Sequence, residues 1–159
     1  MLAKQTEIPI SNNILPSITC HVAVWYWAWR VAEAKGSVKG GVLEDRDLFI
    51  KIGGVEKGPQ EAMRLLPRSG MWDLKSPLLT PPVDTVLFWD GTPSHSAVVT
   101  GTGRITGYNQ DCLLGLAPSG KFTTITTSQI PPQFKLCFTI AEATILAAAA
   151  GNPFGVYPG

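Results

Sequence analysis

Thr85-Val-Leu-Phe-Trp89 and His95-Ser-Ala-Val-Val-Thr100 are two apolar segments rich in β-branched and aromatic residues, separated by the turn sequence Asp90-Gly91-Thr92-Pro93. Such segments between turn residues are typical of paired strands. A turn at Gly101-Thr-Gly103 then leads into a third segment, Arg104-Ile-Thr-Gly-Tyr108. Because consecutive short strands usually pair with their neighbours, these stretches predict an antiparallel β-meander. Further strands are predicted over residues 121–127 and 134–140.

An aromatic-rich segment upstream of the strands, Cys20-His-Val-Ala-Val-Trp-Tyr-Trp-Ala-Trp-Arg30, repeats apolar residues at helical spacing. Ser17 is the predicted N-cap, which places Cys20 at the third helical position. The helix is expected to reach about Ala34 and to end before Gly36. One helix followed by a run of strands indicates an α+β fold, with the helix that carries Cys20 packed on the meander.

The rest of the chain adds smaller elements and no sign of a second domain. Glycine and proline break residues 42–82 into short pieces, with one short helix predicted over residues 60–66. Residues 138–151 end in an alanine-rich stretch that is predicted to be a packed helix. A chain of 159 residues with 45% hydrophobic content supports one core. We therefore expect a single domain over residues 1–159.

Charge and hydropathy exclude two classes of partner. Thirteen basic and twelve acidic residues give a net charge of +1, without the basic stripe that nucleic-acid binding requires. The apolar stretch over residues 138–151 contains Glu142 and is shorter than the roughly 20 residues of a spanning helix. Residues 1–10 lack the apolar core of a cleavable signal peptide. No nucleic acid and no membrane span are expected, and export would need a route without such a peptide.

The three cysteines, Cys20, Cys112 and Cys137, show no short paired spacing. Cys112 and Cys137 could form a disulfide in an oxidising compartment, which would leave Cys20 as the free thiol. Together with His95 the three could also form a four-ligand zinc set, but structural zinc sites usually contain closely spaced ligand pairs. We therefore expect no metal and no other cofactor.

Cys20 and His95 are the candidates for nucleophilic catalysis. A helix N-terminus and a neighbouring histidine both lower the pKa of a thiol, so a cysteine early in a helix can act as a thiolate. The competing interpretations are structural. A cysteine in an apolar helix is usually a small core residue, and a histidine after a turn is usually solvated or hydrogen-bonded.

The hairpin that follows His95 supplies a polar third residue. With a turn near residues 102–103, His95 lies opposite Asn109 and Gln110 on the returning strand. Strand alternation places Asn109 and Asp111 on one face and Gln110 on the other, so Asn109 and Asp111 rank above Gln110. An amide or carboxylate here would orient the imidazole, as a thiol–imidazole pair requires. A polar hairpin end without a catalytic role is the structural alternative.

This layout resembles the papain-like fold superfamily, particularly the NlpC-type and CHAP amidases of bacteria. The similarity lies in a cysteine at a helix start, in the strand over residues 85–89, and in His95-Ser-Ala-Val-Val, which is similar to the His-Val-Ala-Val-Val strand of those families. It continues through Gly103-Arg-Ile-Thr-Gly-Tyr-Asn-Gln110, which is similar to the returning strand that carries their polar third residue.

The residues after Cys20 depart from that pattern, since His21 and several tryptophans follow where those families usually have small residues. A cysteine followed closely by tryptophan is also similar to the papain-like proteases and deamidases that bacterial pathogens inject into host cells. Those relatives use a Cys, His, Asp set, which favours Asp111. The resemblance implies attack by Cys20 on an amide carbonyl, with His95 delivering the proton to the leaving group.

The resemblance and the small size together imply a bacterial effector or toxin, cytoplasmic in the producing cell and secreted by a dedicated machine. The expected substrate is a peptide amide bond of peptidoglycan, and the alternative is a glutamine or peptide bond of a target-cell protein. A cognate inhibitor protein would protect the producing cell. A non-catalytic alternative is an interaction module in which some of Trp25, Trp27 and Trp29, which point around the helix, are exposed to a partner.

Overall fold

The computed structural model describes residues 19–38, 43–53, 58–73, 81–91, 94–117 and 120–151, which form helices on an antiparallel sheet. The helices are α1 (Cys20–Ala34), α2 (Asp45–Gly53), α3 (Gly58–Arg64) and α4 (Glu142–Ala150). The strands are β1 (Gly70–Asp73), β2 (Val86–Trp89), β3 (His95–Gly101), β4 (Arg104–Tyr108), β5 (Phe122–Thr126) and β6 (Leu136–Ile140). Short 3-10 helices cover Gln110–Leu114, Thr127–Gln129 and Pro132–Phe134.

The six strands form one sheet in the order β1-β6-β2-β3-β4-β5, and every neighbouring pair is antiparallel. The predicted meander is confirmed for β2 to β5. β6 returns to the other side of β2, where it separates β2 from β1. The sequence pattern does not predict β1, because its four residues lie in the segment broken by glycine and proline. The α+β fold class, with the Cys20 helix before the sheet, is confirmed.

The N-terminus of α1 differs from the prediction. Thr19 is the N-cap, and its hydroxyl accepts a hydrogen bond from the backbone N–H three residues later at 3.3 Å. Cys20 is therefore the first residue of the helix, and the prediction of the third position is wrong. Ser17, the predicted N-cap, lies outside the described residues. The predicted end is confirmed, since the helix stops at Ala34 and Gly36 follows with a left-handed φ of 71°.

The sheet carries apolar side chains on both faces. One face packs against α1, and its residues Val86, Phe88, Val98 and Ile140 share one apolar cluster with α1 and α4. The other face is covered by the chain around Leu113 and Ile130, and its strand residues include Leu87, Trp89, Ala97, Val99 and Ile105. Because side chains alternate along a strand, Ser96 points toward α1 whereas His95 points to the opposite face. The contacts of the two side chains agree with this assignment.

All five tryptophans lie within the described residues and are buried, so the expectation of exposed rings on α1 is wrong. α1 is the central helix, because α2, α3, α4 and the sheet all pack against it. A helix that is apolar around its whole circumference is buried on every side. Neighbouring elements therefore cover the rings that a single helix viewed alone would leave exposed.

Two smaller predicted helices are also present. The helix expected over residues 60–66 is α3, which begins and ends two residues earlier. The alanine-rich helix near the end of the described chain is α4, and its buried residues Ile145, Leu146 and Ala149 pack into the cluster around α1. None of the helices in the described ranges has the length and apolar character that crossing a membrane requires.

Candidate active site

The candidate site lies at the end of the sheet where the inner strand β3 begins and its neighbour β4 ends. The register of these strands, continued from Val98 opposite Thr106, places His95 opposite Asn109, as the sequence predicts. Asn109 has a left-handed backbone with a φ of 58°, so the chain leaves the strand there and enters a 3-10 helix. α1 begins at the same edge, since the sulfur of Cys20 contacts the backbone at the start of β3.

The Cys20 sulfur lies along the backbone edge of β3. It donates a hydrogen bond to the carbonyl oxygen of Ser94 at 3.9 Å, and the backbone N–H of Ser96 is directed at it. Val99 bonds through its N–H and carbonyl to the residues just before β2. The backbone N–H and carbonyl groups of successive residues point to opposite neighbouring strands. Because those of Val99 point toward β2, those of Ser94 and Ser96 point toward β4. The thiol therefore lies on the β4 side of β3, close to the point where β4 ends.

Burial raises the pKa of the Cys20 thiol to about 11. The backbone N–H groups of Ser96, His21 and Cys20 itself act in the opposite direction, because they would donate hydrogen bonds to a thiolate. Cys112 adds to the rise, since a negative charge on one sulfur disfavours a negative charge on its neighbour. The resting Cys20 is thus a neutral thiol that is surrounded by donors for the anion.

The His95 imidazole is fully buried on the face of the sheet opposite to α1. Its Nε2 lies 3.5 Å from Oε1 of Gln110, and its Nδ1 lies 3.5 Å from the sulfur of Cys112. The Trp89 ring packs beside it, with 5.7 Å between the ring centroids. Burial lowers the pKa of His95 to about 3, and the hydrogen bond that His95 donates to Gln110 opposes this shift only in part. His95 is therefore a neutral imidazole in the folded protein.

The Gln110 side chain decides which nitrogen of His95 carries the proton. Its amide nitrogen donates to the carbonyl oxygens of Ile105 at 3.1 Å and Thr123 at 2.7 Å, which uses both amide hydrogens. Oε1 faces the imidazole and can only accept, so Nε2 of His95 must be the donor. Nδ1 then has a free lone pair that faces the Cys112 thiol. The hydrogen-bond network thus directs the basic nitrogen toward sulfur.

The structure brings Gln110 to His95, and it places Asn109 and Asp111 elsewhere. The Asn109 Oδ1 accepts a hydrogen bond from the backbone N–H of Gly120 at 2.7 Å, so this side chain binds the chain just before β5. One carboxylate oxygen of Asp111 is buried without a hydrogen-bond partner among the described residues. The prediction that Asn109 and Asp111 rank above Gln110 is wrong. It assumed that strand alternation continues, but the strand ends at Asn109, whose left-handed backbone leads into a 3-10 helix.

All three cysteines are free thiols, so the disulfide considered between Cys112 and Cys137 is not formed. Cys137 is buried on β6, two strands away from β3, and burial raises its pKa to about 12. Within the described ranges, no three His, Cys, Asp or Glu side chains are grouped to hold a metal ion. Sequence reasoning misses Cys112 as a site residue. Its closeness in sequence to Gln110, opposite His95, is the signal that could have found it.

Comparison with known proteins identifies no relative of this chain. No protein-family model matches it, and no match is found among curated proteins or solved structures. The chemistry of the site is therefore inferred from its own residues.

Gly107 gives the Gln110 side chain its room beneath β3. A methyl group at this position would lie 3.1 Å from Cβ of Ala97 and 3.2 Å from Cδ of Gln110. We expect Gly107→Ala to destabilise the fold by about 1–3 kcal/mol, because an overpacked core must displace one of these neighbours. Urea unfolding measures the loss. Gly91→Ala is the matched control, since a methyl there meets nothing within 4 Å; equal midpoints for the two variants would contradict the prediction.

The buried histidines and thiols predict highest stability between pH 6.5 and pH 9.0. Below pH 6.5 the unfolded chain protonates His21 and His95, whereas burial lowers their folded pKa values to about 4 and about 3. Since the unfolded state then binds more protons, stability falls with decreasing pH by on the order of 1 kcal/mol per pH unit for each histidine. Above pH 9.0 the unfolded Cys20 and Cys137 lose protons that the folded protein keeps, so stability falls again. Urea midpoints that stay constant down to pH 4 would contradict the predicted loss of stability below pH 6.5.

Proposed function

We propose that the protein is a cysteine-dependent amide hydrolase with a papain-like arrangement of thiol, imidazole and amide. The observation that carries the proposal is the setting of His95. Gln110 holds Nε2 as the donor, the free Nδ1 lies 3.5 Å from the thiol of Cys112, and the Cys20 sulfur contacts the backbone of Ser94, the residue before His95. A nucleophile, a base and a group that orients the base are the three parts that nucleophilic catalysis of this kind requires. These parts lie together at the end of the sheet where β3 begins and β4 ends, which supports thiol chemistry there.

Cys20 is the nucleophile in this proposal. It is the first residue of a 15-residue helix, whose positive end favours a thiolate. The backbone N–H groups of Ser96 and His21 favour the same charge. At rest the lone pair of His95 faces Cys112, and Cys112 is close enough to Cys20 to raise the pKa of the Cys20 thiol. We therefore assign Nδ1 of His95 as the group that accepts the proton of Cys20.

Catalysis starts from neutral groups in this mechanism. With pKa values of about 11 for Cys20 and about 3 for His95, a thiolate–imidazolium pair is not present at rest. The thiol proton moves to His95 as the sulfur attacks the amide carbonyl, and the imidazolium passes it to the leaving amine or ammonia. Water, with its proton taken by His95, then hydrolyses the thioester. The backbone N–H groups around Cys20 stabilise the oxyanion.

The substrate proposed first is a peptide amide bond of peptidoglycan. The protein would then be a bacterial effector that is secreted without a cleavable signal peptide and neutralised in the producing cell by a cognate inhibitor. A glutamine or peptide bond of a target-cell protein is the second substrate class. The similarity of the His95 strand to the bacterial amidases supports the first class. The non-catalytic tryptophan-rich module loses its support, because the rings that would form its surface are buried.

The test combines a product assay with mapping of the acyl-enzyme. The purified protein is incubated with peptidoglycan fragments and with glutamine-containing peptides, and mass spectrometry detects the new carboxyl group. Acid quenching followed by peptide mapping then locates the acyl group. We expect acylation at Cys20 and loss of product in Cys20→Ala. Cys137→Ala is the matched control, because Cys137 is a buried thiol outside the site. Absence of product and of acylation with both substrates would reject the hydrolase.

A further inference from the structure

His21 is the second histidine of the chain, and the catalytic steps proposed above do not use it. It is buried at the start of α1. Its Nδ1 lies 2.9 Å from the hydroxyl of Ser96, and its Nε2 lies 3.0 Å from the hydroxyl of Ser94. These two serines are the residues on either side of His95. One imidazole on the helix therefore holds both chain neighbours of the proposed base.

The direction of each hydrogen bond follows from the surrounding groups. The Ser96 hydroxyl donates to the carbonyl oxygen of Cys20 at 3.5 Å, so it accepts from Nδ1–H of His21. Nε2 of His21 is then unprotonated and accepts from the hydroxyl of Ser94. That hydroxyl accepts in turn from the side-chain amide of Gln60 at 2.9 Å. The Trp89 carbonyl oxygen, 3.3 Å from the Ser94 hydroxyl, is a second acceptor for the same hydrogen, and the shorter contact is the one to Nε2 of His21.

The same two serines touch the Cys20 sulfur through their backbones. The Ser94 carbonyl accepts the thiol at 3.9 Å, and the Ser96 N–H is directed at the sulfur. Their side chains meanwhile bind His21, the residue next to Cys20 on the helix. Any movement of the helix start relative to β3 would break both sets of contacts together. Gln60 extends the network to α3, so three elements are joined at this point.

We infer that His21 is a positioning residue that fixes the Cys20 sulfur against the edge of β3, beside His95. The effect of His21 on turnover rests on the proposed function, but the position of the sulfur does not. A neutral imidazole has one donor and one acceptor, and in this arrangement it binds both serines at once. Burial, aided by the charge of Arg64, lowers the pKa of His21 to about 4, so it stays neutral near neutral pH.

The test compares iodoacetamide labelling of Cys20 and Cys137 in the wild type, His21→Asn and His21→Ala. The side-chain amide of the introduced asparagine would lie near the position of Nδ1 and could donate to Ser96, whereas alanine binds neither serine. We expect the labelling rate of Cys20 to rise on the order of tenfold in His21→Ala, as expected from the loss of buried hydrogen bonds. His21→Asn should show a smaller rise, and Cys137 should be unchanged in both variants.

Two labelling results would overturn the inference. Equal increases at Cys20 and Cys137 would mean that the substitution only loosens the fold, and no increase at Cys20 would mean that His21 does not hold the sulfur. A two-bond ¹H–¹⁵N correlation spectrum of the wild-type imidazoles gives an answer that needs no variant to fold. We expect His21 to be a single tautomer protonated on Nδ1 and His95 to be protonated on Nε2, and a mixture of His21 tautomers, as in a solvated imidazole, would also overturn the inference.

Turnover separates this inference from the proposed function. In an active enzyme, His21→Ala should lower kcat more than it raises KM, because substrate binding does not involve the displaced sulfur. His21→Asn should recover part of the loss, which a purely structural defect would not show. If the wild type hydrolyses no amide, the proposed function fails, while the labelling and tautomer measurements still decide the role of His21.

Discussion

His95→Ala is expected to lower kcat/KM for amide hydrolysis by about 10³-fold, whichever of the two substrate classes the enzyme uses. Without the imidazole, the mechanism loses the base that takes the proton of the attacking thiol. With a pKa of about 11, Cys20 supplies very little thiolate by itself near neutral pH. Rates of product formation by the wild type and the variant, measured at saturating and at low substrate, would check this. A variant within tenfold of the wild type would reject His95 as the base.

Gln110→Ala distinguishes the base from the group that orients it. The substitution removes the acceptor that keeps the proton on Nε2, so part of the population would place its proton on Nδ1, where it blocks transfer from sulfur. We expect Gln110→Ala to lose less kcat/KM than His95→Ala and more than Asp111→Ala. The reverse order for the last two would support the Cys, His, Asp set that the family resemblance favours.

Most of the fold follows from periodicity in the sequence. The segments around β2, β3 and β4 are short, apolar and separated by turn residues, and a wrong register would turn their core side chains to solvent. The helix cap was harder to predict. Ser17 and Thr19 carry equivalent hydroxyls, and only the backbone geometry of Thr19 decides between them. Burial of the tryptophans depends on where α2, α3 and α4 pack, which no pattern within α1 reveals.

The candidate site was predictable up to the end of β4. Register alone places His95 opposite the polar residues that follow the returning strand. Which of them reaches the imidazole depends on one backbone angle, the positive φ of Asn109, because this angle starts the 3-10 turn that directs Gln110 inward. Asparagine adopts such angles more readily than most residues, but its presence does not require them. The same turn brings Cys112 to Nδ1 of His95, so the contacts of Gln110 and Cys112 with the imidazole have one cause.

Trp27→Ala is expected to lower the free energy of unfolding by about 3–5 kcal/mol, because it opens a large cavity at the centre of α1. Trp27 has no exposed surface and belongs to the cluster that joins α1 to the sheet and α4. Since domains of this size are stable by only about 5–15 kcal/mol, the variant would be close to unfolding. Urea unfolding followed by circular dichroism measures the change.

Two further variants show whether this cost comes from packing of the Trp27 ring. Leu65→Ala removes an apolar side chain that is 72% exposed and should change stability by less than about 0.5 kcal/mol. Trp27→Phe keeps most of the ring and removes an indole N–H that has no hydrogen-bond partner among the described residues, so it should cost less than alanine. A ring on a binding surface contributes little to folding. A Trp27→Ala cost as small as that of Leu65→Ala would therefore contradict the buried position and favour the interaction module.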